Sequence, residues 1–377
     1  MSKEKFRYTA IYDDLRQSIM DGTYEENSLL PTEQSLSMHY DVNRSTLRKA
    51  MQLLADEGLI EKKPGKGTIV LSRQSEGSES SEVISNKNIG FLLPRGNLIT
   101  EPFYSTLFSL LEQNFQPKGC SLIYTTLDDE DDMAAKISPL GLSGIVFVSN
   151  VSRRHIRLAV ENKIPSVLVN SCSPELPSIL SDNVQGAYLA GRHLIENGHQ
   201  RVAVLAGVRS YISNQERMEG VKRAFTEAGT PLQPELILET DSWLYEAAEN
   251  LFTDFVATHR DSLPTAVFAF NDRLATGAVN AIRKSGLSVP EDISVIGYDN
   301  LGYFNSISPK MATVETHIDI IAEATVSQIM WQLNGGRCMG IRTLAPVEVV
   351  EGETVLPCHT PSSQLSDVKL FQTKETP

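Results

Sequence analysis

The 377 residues are enough for two or three domains, and 41% hydrophobic with 21% charged residues is ordinary for a soluble globular protein. The N-terminus, MSKEKFRYTAIYDD, lacks the apolar core of a secretory leader, and no apolar run nears the roughly 18 residues of a membrane helix, so a cytoplasmic protein without membrane contact is expected. The net charge of −13 is unevenly spread: residues 1–75 hold eleven basic and eleven acidic side chains, so the deficit belongs to the remainder, while Arg44, Arg48, Lys49, Lys62, Lys63, Lys66 and Arg73 crowd one short stretch.

In chain order, residues 8–21 place Ile11, Leu15 and Ile19 on one helical face, with Gly22 as the stop. Pro31-Thr32-Glu33 opens a second helix that turns Leu36 and Tyr40 inward. Asp41-Val42-Asn43 is a tight turn, and Asn43 or Ser45 can cap a third helix packed through Leu47, Met51 and Leu54 and stopped by Gly58. Helices two and three at this spacing form a helix-turn-helix. Arg44, Ser45, Thr46, Arg48 and Lys49 occupy the first turns of the third helix, where recognition helices meet base edges and phosphates. GLIEKKPGKGTIVL then predicts a β-hairpin with a basic, side-chain-poor tip. That tip lacks the spacing and the following helix of a phosphate-binding loop.

The run LPTEQSLSMHYDVNRSTLRKAMQLLADEGLIEKKPGKGTIV resembles the GntR family of winged-helix regulators over roughly residues 6–71. The resemblance implies DNA contacts at Thr32, Arg44, Thr46, Arg48 and the wing at Gly65, Lys66 and Gly67, beside Ser45 and Lys49. Many members carry Arg after the Glu of this motif; Gln34 stands here, which puts one contact in doubt.

SRQSEGSESSEVISNK (72–87) is Ser- and Glu-rich and is expected to be a flexible linker, with a root-mean-square span of roughly 20–23 Å. From residue 88 to 357, short apolar runs alternate with amphipathic segments, as in repeated βα units. Strands are predicted at 89–93, 122–126, 144–148, 166–170, 178–182, 201–207, 266–270 and 293–297, too many for one open sheet. Helix 183–198 is closed by Gly198. Ligands of such folds bind beyond the C-terminal ends of the strands. Phe103, Tyr104, Asn170, Arg217, Trp243, Asn271 and Asp299 stand near such ends, and amides, carboxylate, guanidinium and rings are the groups a sugar requires. Phe103 could equally be core, Asn271 and Asp299 turn or cap residues, and Arg217 one half of a structural ion pair. Asp272 is read as a helix cap and His317 as structural.

FAFNDRLATGAVNAIRKSGLSVPEDISVIGYDN, with ENGHQRVAVLAG and QERMEGVKRAF, resembles the LacI/GalR family over about 88–357. That resemblance implies hydroxyl-binding roles for Asn170, Arg217, Asn271 and Asp299 and an aromatic role for Trp243, with Tyr245 as rival. The linker has no apolar stripe for the hinge helix of that family, so the arrangement is similar to the arabinose-repressor type of GntR/LacI hybrid. The expected fold is multidomain: a small α+β winged helix-turn-helix (1–71), the linker, a two-lobed α/β periplasmic-binding-protein-like domain (88–357) and a disordered tail (358–377). No catalytic motif stands out, and the scattered Cys120, Cys172, Cys338 and Cys358 fit neither zinc nor redox spacing, so no metal, cofactor or enzyme activity is expected. The expected partners are double-stranded operator DNA, a small-molecule sugar and a second copy in a homodimer. A purine or protein corepressor and a free sugar-binding protein are the alternatives.

Overall fold

A computed structural model describes residues 4–20, 23–24, 28–56, 59–63, 67–71, 87–96, 99–301 and 309–358. The chain divides into two compact units, Met1–Val83 and Ile84–Pro377. Of the expected linker (72–87) only Lys87 is described, as the start of a strand, and of the expected tail (358–377) only Cys358, whose N–H donates to the Asn197 carbonyl; the rest of both, the stops Gly22 and Gly58 and the wing-tip residues Gly65 and Lys66 lie outside the described residues.

The first unit holds α1 (Glu4–Met20), α2 (Glu33–His39) and α3 (Arg44–Asp56), then β1 (Ile60–Lys63) paired antiparallel with β2 (Gly67–Val70). A bridge from Leu29 to Ile69 adds a third strand segment to this wing. Ile11, Leu15, Ile19, Leu36, Leu47, Met51 and Leu54, the residues expected inside, are buried together with Leu30, Ile60 and Val70. The first helix starts four residues before the apolar pattern does. Thr32 caps α2, its Oγ1 accepting the Ser35 N–H. Asn43 caps α3, its Oδ1 accepting the Thr46 N–H at 2.8 Å. Gly67 has φ +106°, a region that side chains with a Cβ avoid, so the hairpin needs glycine where the wing turns back.

The second unit has two lobes. The first holds β3 (Lys87–Leu93), α4 (Pro102–Phe115), β4 (Cys120–Thr126), α5 (Met133–Ile137), β5 (Leu142–Val148), α6 (Arg153–Glu161), β6 (Ser166–Val169) and β7 (Ser178–Ser181). The second holds α7 (Asn183–Glu196), β8 (Val202–Ala206), α8 (Ile212–Glu227), β9 (Ile237–Glu239), α9 (Tyr245–Thr258), β10 (Ala266–Ala269), α10 (Asp272–Lys284), β11 (Ser294–Ile296) and β12 (Thr313–Glu315). Then α11 (Ile318–Leu333) and β13 (Arg342–Ala345) return to the first lobe, and β14 (Glu348–Val350) to the second. The sheets are parallel, with orders β13-β7-β6-β5-β3-β4 and β11-β10-β8-β9. The chain therefore crosses between lobes near Asp182, at Thr316-His317 and at Pro346-Val347. Every strand predicted from an apolar run is present. Short β9, β12, β13 and β14 were not among the predicted strands; β12 and β14 form an antiparallel pair beside β11.

The strands β5, β6, β7, β8, β10 and β11 are buried along most or all of their length, in keeping with their largely aliphatic sequences, whereas the edge strands β4, β9 and β13 are partly exposed. In the second lobe α7 and α8 pack so closely that a Cβ on Gly220 would sit 2.1 Å from the Val184 carbonyl oxygen. Helix α10 corrects one expectation: Asn271, not Asp272, is its cap, accepting the Leu274 N–H at 2.7 Å from an extended backbone. Asp272 is instead a buried clamp. It accepts the Leu301 N–H at 3.1 Å and the Thr313 hydroxyl at 2.6 Å, tying α10 to the segment after β11 and to β12.

Two outcomes follow. Gly220→Ala forces α7 and α8 apart and should destabilise the second unit by about 1–3 kcal/mol in urea unfolding. Burial, reinforced by the charge of Asp299, pushes Asp272 from 3.8 up to about 8. The folded state thus holds this proton more tightly than the unfolded chain. Its contribution to stability is complete below about pH 4 and is lost as the pH climbs through about 8. Thermal melting between these limits should fall less steeply for Asp272→Asn than for the natural chain.

Candidate ligand cleft and nucleic-acid interface

In the first unit the third helix presents Arg44, Ser45, Arg48 and Lys49 as exposed side chains, and Thr32 is exposed at the start of α2. Thr46 is buried, and its hydroxyl donates to Asn43 Oδ1 at 2.8 Å, so this side chain serves the cap. Ser45 Oγ donates to the same oxygen at 2.7 Å. Glu33 was not singled out from the sequence, yet it organises the surface: Arg48 Nε donates to it at 2.9 Å and Lys62 Nζ at 2.6 Å. Lys62, with Arg48 behind it, holds the Glu33 carboxyl below the usual range. An α2 carboxylate therefore fixes one cation of the recognition helix and one of the wing. This bond uses Nε of Arg48, whereas a bidentate guanine contact can use the two Nη groups.

In the second unit one cleft, with about 490 Å³ of space, is lined from both lobes. The first lobe contributes Glu101, Phe103, Tyr104, Ser149 and Asn170; the second contributes Tyr211, Ser213, Arg217, Trp243, Asn271 and Asp299. All seven ligand residues proposed from sequence thus converge. Tyr245, the rival aromatic, begins α9 as an exposed residue outside this lining.

The local reason is the way strands end. Ser149 follows β5 with φ +69°, Asn170 follows β6 with φ +53°, and Asp299 stands just past β11 with φ +102°. Non-glycine residues in this region are strained by about 1–3 kcal/mol, and such strain concentrates where a side chain must be aimed. For Asp299 the surroundings hold it, through an N–H donated to the Val314 carbonyl at 2.9 Å.

Arg217, in the second turn of α8, is buried. Its Nε donates to Asn183 Oδ1 at 2.9 Å, one Nη to the Phe270 carbonyl and the other to Asp299 Oδ1 at 3.0 Å. Its face lies 3.7 Å above the Tyr298 ring. The ion-pair reading of Arg217 and the cleft reading therefore hold together. Burial pushes Asp299 up to about 6 while Arg217 opposes it. Trp243 fits because its partner is Gly207: a Cβ there would come within 2.5 Å of the indole. Tyr211 meets that indole edge-on, centroids 5.8 Å apart. Phe103 meets Tyr104 the same way at 5.5 Å.

Glu101, Ser149, Tyr211 and Ser213 were missed by the sequence reading. Ser149 directly follows a predicted strand, so the strand-end rule reached it but its residue type did not stand out. His317 caps α11 at φ +48° and faces Glu348 at 3.8 Å, outside the cleft. Among the described residues no group of His, Cys, Asp or Glu could hold a metal.

Two family descriptions match: bacterial regulatory proteins of the gntR family over residues 7–70, and periplasmic binding proteins and sugar binding domain of the LacI family over 86–350. The HTH-type transcriptional repressor PurR of Actinobacillus pleuropneumoniae is 32% identical over 249 residues, 63% of this chain and 71% of PurR. A LacI family transcriptional regulator from Enterococcus faecium with bound ribose has 27% identity and a TM-score of 0.64, covering 72% of this chain and all of that one. The lac repressor dimer bound to operator and the anti-inducer ONPF has 24% identity and a TM-score of 0.63, covering 72% of this chain and 94% of the repressor chain. With this cleft and this helix-turn-helix on one polypeptide, the chain belongs to the LacI family through its two-lobed sensor and carries a GntR-family DNA-binding domain in front of it.

Proposed function

We propose that this chain is a cytoplasmic transcription repressor of carbohydrate-utilisation genes, released from a palindromic operator when a neutral monosaccharide enters the cleft. The observation that carries this reading is the convergence of the strand-end side chains of both lobes on one cleft, in a chain that also exposes cations on a recognition helix. Asp299 and Arg217 suit adjacent hydroxyls, Asn170 and Asn271 offer amides, and the rings cover C–H faces. The ribose-bound relative supports a pentose-sized ligand, and L-arabinose belongs in the same test. A homodimer would present two winged helices to the two half-sites. A purine corepressor is the second reading, favoured by the similarity to PurR.

A thermal-shift panel of D-ribose, L-arabinose, other monosaccharides, hypoxanthine and guanine identifies the effector, since a bound ligand raises apparent stability by mass action. Operator binding with and without that effector then decides the sign. A sugar that lowers DNA affinity supports induction, a purine that raises it replaces that reading, and a chain that binds no fragment from its own genomic neighbourhood defeats both.

Asp299→Asn keeps the shape and removes a charge-assisted acceptor. Effector affinity should fall about 10- to 100-fold by calorimetry with operator binding retained. Arg44→Ala and Arg48→Ala should each weaken operator binding about 10- to 100-fold in fluorescence anisotropy and leave effector affinity unchanged. Lys49→Ala, if it contacts phosphate, should lower the salt slope by about one.

A further inference from the structure

Among the ion pairs of the second unit, one joins the lobes inside the cleft. Glu101 precedes α4 in the first lobe, and Arg273 stands in the first turn of α10 in the second. Arg273 Nη1 lies 3.3 Å from Glu101 Oε2, with the side chains only 18% and 19% exposed. Among the described residues Arg342 and Glu216 also pair across the lobes, but neither lines the cleft. Glu101 itself lines the ligand space.

Neither partner is accounted for by its own helix. An arginine in the first turn of a 13-residue helix faces the positive end of the helix dipole, which disfavours a cation. Glu101 occupies the cap position of α4, where an anion is favoured, but its side chain makes no cap hydrogen bond to that helix. Arg273 Nη1 is buried with no hydrogen-bond partner, so the carboxylate opposite supplies its compensation as an ion pair. Separating the lobes would break this contact.

We propose that Glu101 accepts a hydrogen bond from a donor group of the effector, and that Arg273, reaching over from the opposite lobe, is its positioning residue, so that recognition and lobe closure are one event. This rests on the effector-binding reading of the cleft. The pair also sets the class of ligand. Arg273 offsets Glu101 as Arg217 offsets Asp299, so the cleft is electrically balanced and takes an uncharged polyol over a sugar phosphate or a sugar acid.

The chain has two tryptophans, and Trp243 lines the cleft while Trp331 lies exposed on α11. In a Trp331→Phe background, acrylamide quenching of Trp243 therefore reports cleft opening without any ligand. Arg273→Met and Glu101→Gln should each raise the quenching constant, with unchanged far-ultraviolet dichroism. The charge swap Glu101→Arg with Arg273→Glu should restore protection. Binding of D-ribose and of the strongest hit of the monosaccharide panel is then measured by calorimetry. Arg273→Met should weaken it about tenfold, and the swap should not recover it, because the carboxylate now sits on the wrong lobe. Quenching unchanged in Arg273→Met overturns the closure contact, and full recovery of affinity in the swap overturns the role of Glu101. If no sugar binds the natural chain while the quenching results hold, the effector assignment fails and the interlobe pair stands.

Discussion

The sensor unit depends on one buried guanidinium. Arg217 is 5% exposed, and taking a charge that far from water costs several kcal/mol unless its donors are met. They are met from three directions: Asn183 at the start of α7, the carbonyl of Phe270 at the end of β10, and Asp299 beyond β11. Asn183 is held in turn, its Nδ2 donating to Glu216 at 3.1 Å. One side chain of α8 therefore sets the distance between the strand ends that form the cleft floor. Removing it would strand Asp299 as a buried, unpaired acid, so this cleft-lining group also keeps its neighbours in place.

The DNA-facing surface follows a different rule. Arg48 and Lys62 are 63% and 71% exposed, and their bonds to Glu33 lie in water, where an ion pair contributes little to stability. The value of this cluster is orientation. Helix α2 carries the carboxylate, α3 and β1 carry the cations, and the three elements are already fixed by the small core around Leu47 and Leu54. The side chains are thereby held before DNA arrives, which reduces the ordering cost of binding. Stability comes from the apolar core, and the charged layer above it is free to serve recognition.

Much of this organisation was legible in the sequence because it rests on strong local signals. Runs such as GIVFV and AVFAF can only be strands buried on both faces, and the residues after them had to lie at one edge of the sheets. That is why Asn170, Asn271 and Asp299 could be named. What escaped lacks such signals. Strands β9 and β12 to β14 are only three or four residues long, too short for periodicity to mark them. Tyr211 and Glu101 stand at the N-caps of α8 and α4 and Ser213 in the first turn of α8, and where these helix starts lie depends on tertiary packing. The choice of Trp243 over Tyr245 turned on Gly207, a residue distant in sequence that leaves room for an indole. Asn271 and Asp272 are adjacent and chemically alike, and only the backbone decides which one caps the helix and which one is buried under it.

The division of charge between the lobes separates two parts of ligand binding. Arg217 and Asp299 belong to the same lobe, so their pairing persists when the cleft opens and contributes no preference for either state. Any preference must come from contacts that the two lobes make jointly, with the ligand or with each other. A ligand shifts such an equilibrium only by its differential affinity for the two states. On the proposed effector reading, the first-lobe side chains Phe103, Tyr104 and Asn170 are therefore as decisive as the polar floor opposite them, since a ligand held by Arg217 and Asp299 would meet them across the cleft. In that reading the floor would set which molecules can sit, and the first lobe how strongly sitting there favours the closed form.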